Sequence, residues 1–573
     1  MVATSKAQGD NIRRGAEEER VLSGAQMVCR ALVNEGVEIV FGYPGGAVTP
    51  LYDALPDFPL RHVLVRHEQA AAHAADGYAR ATGKVGVCLS TSGPGATNLV
   101  TGIATAYLDS SSIVAITGQV PTSQIGKDAF QEIDITGITL PITKHNYLVL
   151  GVDEVPRVMK EAFHLSRTGR PGPVLVDLPK NVLSAQGKFA YPAAVELRGY
   201  RPSVAGNARQ VRQAAALIKA AERPLILAGR GANLAGAHEE LRRLAEEGDI
   251  PVLSTLLGLG AFPGSHPLFV GLIGMHGYAY ANRAMCACDL VIAIGTRLSD
   301  RTTGKTATFA RQARVVQIDV DPAEIGKNIG VDVPIVGDIA NVLGALLREG
   351  VSGKHSEWLA QLRAWREEAA EATRRCNGHV SPQTVIESLH RQTGGRAIIV
   401  TDVGQHQLWA AQFYTYDRPS SFISSGGLGT MGFGLPAALG AKLGRPEENV
   451  WAVVGDGGFQ MNIQELATVV QEGAAVKIAL LNNGYLGMVR QLQELFHDRR
   501  YSGISLSGPD FVKVGEAYGV PARRVVRNDE VAAALAWADA EEGPALVEFV
   551  IEPEENVYPM VPPGRSLEEM IEG

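Results

Sequence analysis

Two short apolar runs in this chain each end on a side chain able to ligate a metal ion. Val453-Val-Gly-Asp-Gly-Gly-Phe459 delivers Asp456, and Leu480-Leu-Asn-Asn483 delivers Asn483. The 24 residues from 458 to 481 fit one helix, from Gln460 to about Gln471, and a strand, which is the usual size of a βαβ crossover. Adjacent parallel strands would set Asp456 and Asn483 side by side at the carboxyl edge, where open sheets bind ligands. A carboxylate beside an amide oxygen suits a hard cation such as Mg2+, with diphosphate oxygens filling other positions. Gly455, Gly457 and Gly458 let backbone N–H groups come close to phosphate. A third candidate is Glu68 in Arg61-His-Val-Leu-Val-Arg-His-Glu68-Gln-Ala-Ala-Ala-His73. It follows a predicted strand and opens an Ala-rich helix. There it either favours the positive end of the helix dipole or, in a closed cleft, moves a proton near neutrality.

Such residues need parallel sheets behind them, and strands alternating with helices provide these. One series contains Glu38-Ile-Val-Phe41, Val85-Gly-Val-Cys-Leu89, Ile113-Val-Ala-Ile116 and Val174-Leu-Val-Asp177. A second holds Pro224-Leu-Ile-Leu-Ala228, Leu290-Val-Ile-Ala-Ile294 and Val315-Val-Gln-Ile-Asp319, and a third Ala397-Ile-Ile-Val400, Val450-Trp-Ala-Val-Val454, Val476-Lys-Ile-Ala-Leu-Leu481 and Ala545-Leu-Val-Glu-Phe549. The reading is an α/β protein of three doubly wound parallel-sheet domains, at 21–185, 206–350 and 379–553. Residues 1–20 and 554–573 read as tails, the polar, strand-poor stretch 184–207 as a linker, and 350–378 as a charged helical connector. Ser90-Thr-Ser-Gly-Pro-Gly-Ala-Thr-Asn-Leu99 echoes Ser424-Ser-Gly-Gly-Leu-Gly-Thr-Met-Gly432. Either Gly-rich turns coincide here, or a fold is duplicated around one shared site.

Composition narrows the class. With 573 residues, 46% hydrophobic, 20% charged and 64 Gly, the chain is too long for one core and reads as neither disordered nor collagen-like. A net charge of −8 argues against a nucleic-acid partner. Five scattered cysteines (Cys29, Cys88, Cys286, Cys288, Cys376) fit a reducing cytoplasm, with Cys286-x-Cys288 as core thiols. No apolar run reaches the ~18–20 residues of a membrane span, and Glu17-Glu18-Glu19 is wrong for a leader.

Gly455-Asp-Gly457 with Asn482-Asn483 at this spacing resembles the thiamine diphosphate signature. The resemblance implies Mg2+ held by Asp456, Asn483 and the backbone carbonyl of Tyr485, and it puts an activating glutamate in Arg-His-Glu68-Gln, set against the aminopyrimidine ring. Phe41-Gly-Tyr-Pro-Gly-Gly46, Ala129-Phe-Gln-Glu132, Gly404-Gln-His-Gln-Leu-Trp409, Ser425-Gly-Gly-Leu-Gly-Thr-Met-Gly432 and Gly487-Met-Val-Arg-Gln491 are similar to the acetohydroxyacid (acetolactate) synthase family, catalytic large subunit, from Val21 to Gly564. That family condenses two 2-keto acids with loss of CO2. By this resemblance Met431, beside Gly429, is the apolar wedge that holds thiamine bent. Val403, Gly404, Gln405 and His406 contact diphosphate, and Met488 belongs to the same cofactor site. Gly45 stands near the reacting carbon as a backbone donor, and Gln131 and Lys180 line the channel for the second keto acid.

The middle domain resembles the family's FAD-binding segments through Gly229-Arg-Gly231, Thr255-Leu256, Gly274-Met-His276-Gly, Gly295-Thr-Arg297-Leu-Ser-Asp-Arg301, Ile318-Asp319 and Gly337-Asp338. Arg170, Ser425 and Gly426 are further expected cofactor contacts. Leu298 and Ser299 depart from the family's usual Phe and Asp. FAD has no redox duty in the family's main reaction. Leu492 stands where the family normally carries Trp, a wall of the acceptor pocket that also binds sulfonylurea-type herbicides. The implied partners are small 2-keto acids, a second copy of the chain in a homodimer or homotetramer, and a separate small regulatory subunit. The rivals are a flavin-free catabolic acetolactate synthase, a pyruvate oxidase-like enzyme and a non-catalytic nucleotide-binding scaffold. The presence together of Glu68, Asp456 and Asn483 argues against the last.

Overall fold

The computed structural model describes residues 20–370 and 379–573. The N-terminal stretch read as a tail, the end of the 350–378 connector and Cys376 lie outside the described residues. Three six-stranded sheets, all parallel, form the body, and a two-stranded antiparallel ribbon joins Arg20–Ser23 to Gln186–Phe189. The stretch 184–207, expected to lack strands, therefore contributes one. It closes the first domain by pairing its two ends.

The central strands are continuous apolar runs because both faces are covered by helices. Val450–Gly455 and Ile113–Gln119, for example, are buried at every position. Counted along each domain, the first and third sheets share one strand order, 2-1-3-4-6-5, but residues 90–99 follow the third strand of one sheet and residues 424–432 the second strand of the other, so the echo does not join equivalent strand ends. The middle sheet has the order 3-2-1-4-5-6, which is that of dinucleotide-binding sheets.

The first and third domains dock through two helices of small residues, Glu68–Thr82 and Gly434–Gly444. A Cβ at Gly77 would lie 2.1 Å from the Ala437 carbonyl oxygen, and one at Gly440 would lie 1.9 Å from that of Ala74. Only glycine permits so close a backbone approach, and this packing aligns the two sheets.

Helix Ser356–Ala370 occupies the second connector, with Trp358 and Leu362 buried against the middle domain. Residues 554–573 run back over the molecule and stay attached. The Asn556 side chain accepts from Arg490, Gln491 bonds the backbone of Val557, and Met560 pairs with Ile571.

Candidate active site

Parallel pairing sets Gly455 opposite Leu481, which brings Asp456 and Asn483 to one sheet edge as expected. The crossover differs from expectation. The helix begins at Asp456 itself and runs only to Met461, a 3-10 turn follows at Ile463–Glu465, and a second helix spans Leu466–Gln471. The break falls at Asn462, whose side chain leaves the helix to donate to the Gly432 carbonyl at 2.7 Å. Asp456 is 2% exposed, and burial pushes its carboxyl up to about 6 while the N–H groups of Asn483, Gly457 and Gly484 oppose that rise. Asn483 Oδ1 accepts from Tyr485 N at 3.1 Å, and its amide donates to Gln405.

A small cavity collects Val403, Gly404, Gln405, His406, Met431, Gly455, Asp456, Gly457, Gly458, Asn483, Tyr485 and Met488. The methyl of Met431 lies 3.5 Å from where a Cβ of Gly457 would stand. The buried Nε2 of His406 has no partner, and burial pushes that imidazole down to about 3. A neutral, unpartnered ring nitrogen beside a glycine bed fits a phosphate-bearing ligand. Among the described residues no group of three His, Cys, Asp or Glu is placed to hold a metal, so a cation here would depend on Asp456, amide and carbonyl oxygens, and a ligand's own oxygens.

This cavity shares Val403, Gly404, Met431 and Met488 with a second one of about 990 Å³, the upper end of the size range of ligand sites. The large cavity is walled by Arg170, Gly231, Thr255, Leu256, His276, Gly295, Arg297, Arg301, Asp319, Asp338, Ser425, Gly426 and Gly429. Gly229 is not in its wall. It lies beneath, where its N–H bonds the Ile294 carbonyl and a Cβ would meet the Gly295 carbonyl oxygen at 2.3 Å. Unpartnered buried atoms face this region too: His276 Nδ1 and Arg230 Nε. A 3-2-1-4-5-6 sheet with such a cavity beside its first turn fits a dinucleotide. Arg170 is also ion-paired there, to Asp321 at 3.1 Å and Glu324 at 2.7 Å.

Three of the four expected catalytic positions converge elsewhere, on the turn at residues 91–95 that follows strand Gly86–Ser90. A Cβ at Gly95 would stand 3.2 Å from Glu68 Oε1, one at Gly45 would clash with Thr91, and one at Gly93 would lie 2.9 Å from Gln131 Cβ. Glu68 Oε2 accepts from Asn98 at 3.0 Å. Lys180 starts the helix after strand Val174–Pro179, exposed on the same sheet edge. None of the four lines either cavity. Within one chain these four positions therefore stand apart from the edge that carries Asp456 and Asn483.

Several buried carboxylates that the sequence reading passed over hold these loops. Asp402, at the end of the strand Ile398–Thr401, accepts from the backbone of Val403, Gly432 and Gly434 and so holds the loop of Met431. Asp109, ion-paired with Arg80 at 2.9 Å, accepts from the N–H groups of Gly426 and Gly427. Only the strand-end position of Asp402 was a usable sequence signal.

Comparison with known proteins agrees with this arrangement. Residues 22–138, 211–346 and 402–549 match, in order, the N-terminal TPP binding, central and C-terminal TPP binding domains of the thiamine pyrophosphate enzymes. The probable acetolactate synthase large subunit of Methanocaldococcus jannaschii is 50% identical over 565 residues, covering 96% of this chain and 95% of its own. The acetolactate synthase of Mycobacterium bovis is 51% identical over 563 residues (96% and 91%), and the acetolactate synthase large subunit of Corynebacterium glutamicum is 50% identical over 566 (96% and 90%). With a diphosphate-shaped edge on the third sheet and near-complete alignment to these relatives, the chain belongs to the acetolactate synthase family of thiamine pyrophosphate-dependent enzymes.

Proposed function

We propose that this protein is a transferase that decarboxylates pyruvate and passes the two-carbon unit to a second 2-keto acid, pyruvate or 2-ketobutyrate. This is the first common step of branched-chain amino acid biosynthesis. The observation that carries the reading is the convergence of Asp456, Asn483, Met431 and the unpartnered His406 on one sheet edge. When bound, thiamine diphosphate supplies a carbon nucleophile and an electron sink for the leaving carboxylate. Asp456, Asn483 and the Tyr485 carbonyl would hold Mg2+, whose charge would favour the diphosphate at this edge. Gly455, Gly457, Gly458, Val403, Gly404, Gln405 and His406, which line the same cavity, would contact the diphosphate. Met431 presses from the opposite loop. Analysis of the product formed from pyruvate with thiamine diphosphate and Mg2+ tests the reading. Acetate would instead point to a pyruvate oxidase-like enzyme.

The activating glutamate reaches that site from a second copy. Within one chain Glu68 lines neither cavity, and the first domain exposes Phe130 (88%) and Leu140 (69%). A homodimer pairing the first domain of one copy with the third of the other unites the half-sites, with Gly45, Gln131 and Lys180 facing the acceptor keto acid. Relatives named as large subunits support a separate small regulatory subunit. Among the described residues no helix is long and apolar enough to cross a membrane, and a cytoplasmic location fits the scattered free thiols.

FAD fits the large cavity, with Arg170, Thr255, Leu256, His276, Arg297, Arg301, Asp319 and Asp338 as its wall. The purified protein is therefore expected to be yellow, and stripping the flavin should cost activity although no flavin reduction accompanies turnover. A colourless, fully active preparation would favour the flavin-free catabolic enzyme.

Leu492 lies in the wall shared with Met488 and Val489, and Phe496, one turn on, is not part of it. No neighbour on that helix therefore replaces the family's tryptophan. Discriminating one methylene in an apolar pocket is worth ~1–3 kcal/mol, and part of that should be missing here. Leu492→Trp is expected to raise the ratio of acetohydroxybutyrate to acetolactate in competition and to sensitise the enzyme to sulfonylurea-type inhibitors. Unchanged ratio and sensitivity would discard the idea.

A further inference from the structure

Glu68 belongs to the first domain, yet the backbone that presents it is gripped by the third. The gripping residue is Glu465, in the turn Ile463–Glu465, with 0% exposure. Its Oε1 accepts the Arg66 N–H at 2.9 Å, and Oε2 accepts the Thr468 hydroxyl at 2.6 Å. Arg66 and His67 lie in the short turn between strand Arg61–Leu64 and helix Glu68–Thr82. Further out, Arg66 reaches Gln471 and Arg61 pairs with Glu472, so the whole turn is docked on residues 465–472. Glu465 itself lines neither cavity.

A carboxylate accepting backbone N–H groups makes charge-assisted bonds, which are shorter and stronger than neutral ones. The bond to Arg66 holds the turn two residues before Glu68, and the direction in which a helix leaves a strand sets where its first side chain points. The remaining support for Glu68, its bond from Asn98, comes from its own domain and does not fix the turn. We propose that Glu465 is the positioning residue for Glu68: by holding the Arg66 N–H, the third domain sets the angle at which each chain presents its activating glutamate to the second copy.

This rests on Glu68 being the activator, and the experiment separates the two ideas. Deuterium exchange at the thiazolium carbon of bound thiamine diphosphate, and steady-state kinetics, are measured on holoenzyme of Glu465→Ala, Glu465→Asp, Glu465→Gln, Glu68→Gln and the Glu68→Gln/Glu465→Ala pair. Misplacing a catalytic group by about 1 Å costs ~10²-fold. Glu465→Ala, and Glu465→Asp with its carboxylate withdrawn by one methylene, should lose about that much in exchange rate and kcat while KM for pyruvate stays put. Glu465→Gln keeps the Oε1 acceptor and should recover most of both. The double variant should exchange no more slowly than Glu68→Gln alone, because residues acting as a unit are non-additive. Unchanged exchange in the Asp variant, or additive losses in the pair, overturns the proposal and leaves Glu68 standing. Wild-type exchange in Glu68→Gln overturns both. Should the Ala variant fail to fold, the Asp variant alone carries the comparison.

Discussion

Glu68→Gln is expected to leave fold and cofactor affinity intact and to cut turnover by ~10²–10⁴-fold, the usual worth of a positioned proton-transfer group. The bland role for this residue, a carboxylate at a helix start, is worth at most ~1 kcal/mol when exposed, and glutamine loses little of that in stability. The amide can still accept from Asn98 as the carboxylate does at 3.0 Å, so the local geometry survives. What it cannot do is exchange a proton with the aminopyrimidine ring. Turnover, cofactor affinity and the thermal midpoint are measured together. Near-normal turnover would return Glu68 to a helix-start residue.

Asp456→Asn is the second large effect expected. Mg2+ binds hard, anionic oxygen, and Asp456 is the one carboxylate lining the small cavity. Even supporting residues around metal ligands cost ~10–100-fold in affinity when altered. Loss of the charged ligand should exceed that, raising the apparent Kd for thiamine diphosphate with Mg2+ by at least ~10²-fold and abolishing turnover. The apo protein should not suffer. A carboxylate 2% exposed without a counter-charge is costly to bury, and the isosteric amide relieves that cost. Thermal melting separates the two consequences. Wild type should gain about 2.7 kcal/mol with cofactor at 100 Kd, the variant almost nothing, from an equal or higher starting midpoint. A full cofactor-induced rise in Asp456→Asn would remove the residue from the metal site.

Much of the fold was legible along the chain. Apolar runs such as Val450–Gly455 read directly as buried parallel strands, and the residues that follow them, Asp456 and Asn483, read as occupants of a sheet edge. These are local properties. A strand needs only its own side chains to declare itself, and the side-chain type at its end states the chemistry available there. The segments expected around the large cavity were legible only together, through the order and spacing that carry the family resemblance, and twelve of the expected residues, from Arg170 to Gly426, do meet in one wall. Gly229 did not, because a glycine in a turn can serve a ligand or the neighbouring turn equally well, and here it makes room for Gly295.

The interactions between distant segments were not legible. The helix break at Asn462 depends on the Gly432 carbonyl, 30 residues away. The hold of Asp109 on Gly426 spans 317 residues, and that of Glu465 on Arg66 spans 399. Each requires two loops brought together by packing, above all by the contact of Gly77 and Gly440 with opposing backbone. No local pattern encodes such a distance, since any buried carboxylate in a loop looks alike before its donors arrive. By itself the sequence determined three parallel sheets and the residue types available at their edges. The tertiary structure alone decided that Glu68 stands outside the cavity of Asp456 within one chain, because only packed helices fix which way each sheet edge faces.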